Sequence, residues 1–223
     1  MESQTRKRLG SFLLAGLSIL AGPFLLIRGS TVIYGEGLYS ADQTMRGMST
    51  VNEANLEEGD VLLRCGEGFV SSLIAEFSGC GVSHCGVVVR DGEGWQVIHS
   101  ISGRISDRDG IRANSVEEFV SQARPGSIYH LKPRLEVNRG AIVRRCYYHL
   151  KLQAAFDHDF NLQEDNRLYC SELVRSAYLH GGMPDLFSYR SLAGKKILDM
   201  KSFFDPQLFV RQPPDQPPPG ATH

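Results

Sequence analysis

Two β-rich runs, SHCGVVVR from Ser83 to Arg90 and WQVIHSI from Trp95 to Ile101, flank the turn string Asp91-Gly92-Glu93-Gly94 and read as a hairpin. No other stretch of the chain constrains the fold so tightly. An even-length loop centred on Gly92 and Glu93 sets His84 opposite Ile101 and His99 opposite Gly86. Side chains alternate along a strand, so His84, Gly86, His99 and Ile101 share one face. The two imidazoles become diagonal neighbours, roughly 7–8 Å apart between Cα atoms and closer at the rings. A one-residue slip would part them. Gly86, without a side chain, leaves open space beside His84.

The rest of the chain supplies helices and strands without βαβ alternation. Val61 to Cys65 (VLLRC) follows the turn Glu57-Glu58-Gly59-Asp60 and reads as a strand, and Ser127 to Leu131 reads as another. Apolar residues at 69, 70, 73, 74 and 77 have the spacing of one helix face, and those at 142, 143, 146, 147 and 150 predict a helix over Arg139 to Ala155. The string from Ser115 to Glu118 has capping-box form before a short helix. A further helix begins near Cys170, carries Leu173, Val174, Ala177 and Tyr178 on one face, and ends at Gly181 and Gly182. This mixture predicts an α+β fold with a small antiparallel sheet.

Charge and the two ends bound the function. The 24 Lys and Arg balance 25 Asp and Glu to a net charge of −1, so no basic excess marks a nucleic-acid partner. Residues 1–28 open with Arg6, Lys7 and Arg8 and then run uncharged from Ser11 to Ile27, a positive region before an apolar one. Those 17 residues, rising about 1.5 Å each in a helix, approach a hydrocarbon core of about 30 Å with help from their flanks. The segment reads as a signal anchor or a signal peptide. The lack of a clean small-x-small cleavage site around Pro23 favours the uncleaved anchor. Three cations before the segment outweigh Arg28 after it, which places the domain outside the cytoplasm, in the periplasm or on the cell surface, with a membrane as partner. Residues 29–55 read as a tether or as edge packing, 56–211 as the folded domain, and 212–223 as a disordered Pro-rich tail.

The chemistry centres on one thiol and two imidazoles. Cys170 stands where a polar loop ends and a helix begins, facing unpaired amides and the positive end of the helix dipole. That setting favours the thiolate, the form that acts as nucleophile, and the same amides can donate to an oxyanion. A nearby imidazole held by a second polar group would complete an activated cysteine, and His84 and His99 are the candidates. Cys65, Cys80, Cys85 and Cys146 read as packing residues or, in an oxidising compartment, as partners in up to two disulfides. No metal is implied, because His84 and Cys85 are adjacent on a strand and point to opposite faces, and no ligand pair of zinc-finger spacing follows. No cofactor is implied either. His130, His149, His158 and His180 read as solvated or core histidines.

Gly59-Asp60-Val61-Leu62, then Ser83-His84-Cys85-Gly86-Val87-Val88, then Val97-Ile98-His99-Ser100 resemble the GD, SHVGI and IHA elements of the NlpC-type papain-like cysteine peptidases. In that superfamily a DCSGLV-like helix start precedes these elements. Here the similar string Tyr169-Cys170-Ser171-Glu172-Leu173-Val174 follows them, with Phe156-Asp157 and Asp159-Phe160 upstream. This order resembles the circularly permuted branch, the YiiX/YebB-like cysteine hydrolases. The resemblance implies a permuted papain-like fold with the sheet packed on the nucleophile helix. It further implies Cys170 as nucleophile, His84 as general base and then acid, and His99 as the residue that orients His84. The third position is often acidic in the permuted branch, whereas His99 matches the unpermuted pattern; Cys85 replaces a usual aliphatic residue. Asp60 is expected in a turn or cap, and Glu172 as a cap near the helix start. The expected activity is a cysteine hydrolase, amidase- or peptidase-like, that cleaves an amide or ester of a small molecule or peptide through an acyl-cysteine. Cell-wall peptides and N-acyl amino acids are the substrates considered. A thiol acyltransferase on lipid or acyl substrates and a noncatalytic binding module are the alternatives.

Overall fold

The computed structural model describes residues 47–213 apart from 93, 104–106 and 108. The apolar segment expected over 1–28 and nearly all of the Pro-rich tail lie outside these residues. Among the described residues no helix is long and apolar enough to cross a membrane.

Val-rich and β-branched runs form the centre of the sheet, as their propensity dictates. The strands are β1 (Val61–Arg64), β2 (His84–Asp91), β3 (Gly94–Ile101), β4 (Gly110–Ser115), β5 (Tyr129–Pro133) and β8 (Phe209–Arg211), in the order β4-β3-β2-β1-β5-β8. Every neighbouring pair is antiparallel. A separate hairpin joins β6 (Tyr189–Leu192) to β7 (Lys195–Leu198). Its turn residues Ala193 and Gly194 both take positive φ, 49° and 79°. The helices are α1 (Phe69–Ser78), α2 (Val116–Ser121), α3 (Arg139–Lys151) and α4 (Cys170–His180). The architecture is the expected α+β mixture with an antiparallel sheet.

One face of the sheet carries the main core. Val61, Leu63, Cys85, Val87, Val89 and Ile98 pack there against Ile142 and Cys146 of α3 and against Leu173, Val174, Ala177 and Tyr178 of α4. All four of those α4 residues are fully buried, each of the larger ones contributing about 1.5–3 kcal/mol. The opposite face is smaller and holds Leu62, Val88 and Val97 against Leu56 and, from α2, Val116 and Phe119. Asp60, the residue before β1, ties β5 and the first residue of α3 to the turn that leads into that strand. Its carboxylate accepts from His130 Nε2 at 2.7 Å, from Arg139 at 2.8 Å and from the Glu57 amide at 3.0 Å, which makes it a buried turn residue.

The structure chooses between alternatives at two points and corrects two expectations. Of the two readings of this stretch, residues 48–55 take edge packing: Met48 pairs with Ile128 in both directions, its side chain is buried, and Asn52 caps a 3-10 turn over Glu53–Asn55. The third helix stops at Lys151, not Ala155, because Gln153 takes a positive φ of 51° and Ala154 turns its carbonyl to Ile111. All five cysteines are free thiols, so no disulfide joins them. The open space expected at Gly86 is filled. A Cβ there would come within 2.5 Å of Val97 Cγ1 and 2.9 Å of both His99 Cβ and the Ile98 carbonyl oxygen.

Gly86 is therefore the position where β3 leans onto β2, and the absence of a side chain is what lets it. Gly86→Ala should cost about 2 kcal/mol or more through overpacking against backbone, read as a lowered denaturation midpoint with an unchanged denaturant slope. An unchanged midpoint would show that β3 has room to move.

Candidate active site

The hairpin register is the expected one, with Val87 opposite Ile98 and Asp91 opposite Gly94. His84 and His99 consequently emerge on the same face. His84 Nε2 lies 2.8 Å from His99 Nδ1, and the rings meet edge to face with centroids 4.9 Å apart. β4 supplies the next partner: His99 pairs with Arg112 along the strands, and Asn114, its diagonal neighbour, places Oδ1 at 2.6 Å from His99 Nε2. An amide oxygen only accepts, so His99 carries its proton on Nε2 and presents a lone pair at Nδ1. His84 then donates from Nε2, which leaves its Nδ1 as the basic nitrogen. The bond to His99 is made by the other ring nitrogen, so it does not occupy Nδ1.

Phe119 of α2 is the floor under this pair. It stacks on His84 at 5.8 Å and meets His99 edge-on at 5.5 Å. The Arg64 guanidinium covers it at 4.4 Å, donating to the Phe119 carbonyl at 2.6 Å and to Gln122 at 2.9 Å. Arg64 sits opposite His84 in the β1–β2 register, which is why a buried cation stands beside the imidazoles. Burial holds the His84 ring well below the usual histidine range, and His99, Arg64 and Arg112 push the same way. His99 is held at about 4, burial outweighing the bond to Asn114 that favours its charged form. Burial likewise lowers Arg64 to about 10, so it stays cationic at neutral pH.

Cys170 is the first residue of α4, and Ser100 of β3 fixes the approach by donating to the Leu168 carbonyl at 2.5 Å. Glu172 reaches back to the Tyr169 amide at 3.3 Å, the capping role expected of it. The Cys170 thiol is lowered, first by the Cys85 thiol donating to it and then by the amides of Cys85, Ser171 and Cys170 itself, which together outweigh desolvation. The helix-start amides thus act on the sulfur as the sequence position suggests. Cys85 is raised well above its ordinary value by burial and by that donation.

The structure joins His84 to His99 directly and brings Cys170 to Cys85, the residue next to His84. Among the described residues no hydrogen bond joins the Cys170 sulfur to either imidazole. Asn114, Phe119, Arg64 and Cys85 complete the surroundings and were not singled out by sequence as site residues. An arginine inside the apolar string VLLRC is the one signal that pointed to such a role. A polar cavity of about 370 Å³ lies on another flank of α4, lined by Arg145, Asp165, Glu172 and Arg175 among others; neither Cys170 nor His84 lines it.

The crystal structure of metalloprotein yiiX from Escherichia coli O157:H7 superposes with a TM-score of 0.55 at 16% identity, over 72% of this chain and 98% of that one. The two chains share their fold. That protein is described as a metalloprotein; among the described residues here, no group of three or more His, Cys, Asp or Glu is disposed to hold a metal ion. No curated protein matches the sequence. The sequence pattern of the permuted papain-like amidase enzymes, YaeF/YiiX, matches residues 55–213, and the chain belongs to that family, the C92 family of cysteine amidases.

Proposed function

We propose that the protein cleaves an amide through an acyl-cysteine formed on Cys170, with His84 as base and acid and His99 as the residue that holds His84. The observation that carries this reading is the chain from Asn114 through His99 to His84, which fixes the lone pair on His84 Nδ1 next to the residue whose amide and thiol face the Cys170 sulfur. As the thiol approaches the carbonyl, its proton passes to His84 Nδ1 and the sulfur–carbon bond forms. Amides at the start of α4 stabilise the oxyanion. His84 returns the proton to the departing nitrogen as the carbon–nitrogen bond breaks. Water then attacks the acyl-cysteine, gives its proton to His84 and restores the thiol. Asn114 and His99 act through His84 and are positioning residues.

A cell-wall peptide or an N-acyl amino acid is the substrate class we favour, because the sequence of residues 1–28 points the domain out of the cytoplasm. A thiol acyltransferase shares every step up to the acyl-cysteine and differs only in the acceptor.

A panel of N-acyl amino acids, short cell-wall peptides and matching esters, with product analysis, tests both readings. Cys170→Ala should lower hydrolysis by about a thousandfold or more, and iodoacetamide should label Cys170 first while Cys146, whose thiol burial pushes up to about 12, stays inert. Full activity in Cys170→Ala would end the proposal, and transfer of the acyl group to a non-water acceptor would replace hydrolysis with the second reading. Asn114→Leu, which frees the His99 tautomer, should cost on the order of tenfold to a hundredfold in kcat. Asn114→Asp keeps the acceptor and should recover rate while moving the acid limb of the pH profile upward, since a carboxylate favours imidazolium.

Stability should depend on pH through the same ring. A folded-state value of about 4 for His99 against about 6.5 unfolded means that the unfolded chain takes up the proton first. The contribution is complete above about pH 6.5 and is lost, on the order of 3 kcal/mol, as the pH falls to 4. Denaturant unfolding of the wild type and His99→Gln should show the gap between them shifting by that amount across the window. His149, also held at about 4 by burial and Arg145, is present in both and cancels. A constant gap would place His99 in contact with water.

A further inference from the structure

Helix α1 is assembled inside out. Its buried residues are Ala75 and Ser78, while Phe69, Val70, Ile74 and Phe77 are 77%, 44%, 38% and 45% exposed. A helix that docks on a protein core does the reverse and turns its large apolar side chains inward. These four stand on one side of a ten-residue helix about 15 Å long, a contiguous apolar patch of the sort that marks a binding surface.

Charges of both signs border the patch. Arg124 donates to Ser72 Oγ at 2.9 Å. At the other end Arg190 donates to the Phe77 and Ser78 carbonyls and lies over the Phe77 ring at 4.9 Å, while the Lys201 side chain packs at Gly79. Glu67 and Glu76 are the exposed acids on or beside the helix, and Asp199 pairs with Arg190. The three cations are matched by three acids, so the exposed apolar side chains, with Lys and Arg available at their rim for lipid phosphates, are what fits a helix lying in a lipid interface.

Two observations connect this patch to the rest of the molecule. The first is position: Ser71 Oγ lies 2.6 Å from where a Gly66 Cβ would be, the Gly66 amide donates to Ser83 Oγ, and Ser83 precedes His84. The second is the sequence before residue 47. It carries the 17-residue uncharged segment from Ser11 to Ile27, and the 19 residues from 28 to 46 span at most about 65 Å. A bilayer that holds the first segment is within reach of α1.

We propose that α1 is an interfacial membrane helix: Phe69, Val70, Ile74 and Phe77 enter the headgroup–acyl boundary of a bilayer containing anionic lipid, Arg124, Arg190 and Lys201 face the headgroups, and the edge of the sheet bearing His84 lies against the membrane surface. This does not depend on which residue is the nucleophile.

The test uses the full chain reconstituted in phosphatidylcholine–phosphatidylglycerol vesicles, some made with acyl-brominated phosphatidylcholine. Trp95 is the single tryptophan, so Trp95→Phe gives a silent background. Phe69→Trp then reports on α1, and Tyr148→Trp, at a half-exposed site on α3, is the reference under the same tethering. The α1 probe should be blue-shifted and about threefold more strongly quenched by brominated lipid than the reference. Equal quenching of the two probes overturns the proposal. So does a blue-shifted α1 probe that bromine leaves untouched, which would mean that the face is covered by residues 11–27 or by a second copy; crosslinking in vesicles separates those two. Circular dichroism matching the wild type confirms that each probe variant is folded, and Phe77→Trp provides a second α1 position if Phe69→Trp is not.

Discussion

The pairing register of β2 and β3 is the constraint on which the site depends. With Val87 opposite Ile98, both histidines emerge on one face, and a slip of one residue would send one of them into the core beneath α4. The register admits His99 only because Gly86 offers no side chain to meet it. Phe119 then closes over both rings, and Asn114 on β4 fixes which nitrogen of each carries the proton. Three successive strands and a short helix thus hold one imidazole in one tautomer. Little of that arrangement can be altered singly, because each part is the packing partner of the next.

Burial acts on the two reactive groups in opposite senses, and the outcome is set by what each group finds to bond. The imidazoles find only a neutral amide oxygen and a neighbouring cation, so desolvation prevails and both rings are neutral at rest. The thiol finds three amides and a second thiol, and those donors prevail over desolvation. The Arg64 cation, kept close by its bonds to Phe119 and Gln122, favours negative charge at the sulfur and disfavours positive charge on the rings. The thiol is consequently more readily ionised than an ordinary cysteine, while both rings stay neutral.

Local pattern carried the fold class, the hairpin register, the helix that begins at Cys170 and the meeting of His84 with His99. Each rests on a periodicity or a turn string that acts over a few residues. Asn114 was hidden because β4 reads GIRANS, a polar string without alternation whose partner is known only once β3 is placed. Gly86 was misread because a missing side chain looks like space until the neighbouring strand is seen to fill it. In α1 the helical spacing was right, but spacing cannot tell whether an apolar face meets protein or something outside it; Ala75 and Ser78, the small residues on the inward side, carried that information. Residues 48–55 could be read as a linker because the contact that anchors them, Met48 with Ile128, joins residues 80 positions apart.

The order of the elements has a consequence for synthesis. The histidine hairpin, β4 and α2 are complete by residue 121, whereas the sulfur arrives at residue 170 and acquires its donors only when α4 docks against Cys85. A nascent chain therefore contains both imidazoles 71 residues before it contains the Cys170 thiol. The imidazole pair and its supports Asn114 and Phe119 are thus all in the chain before the sulfur is.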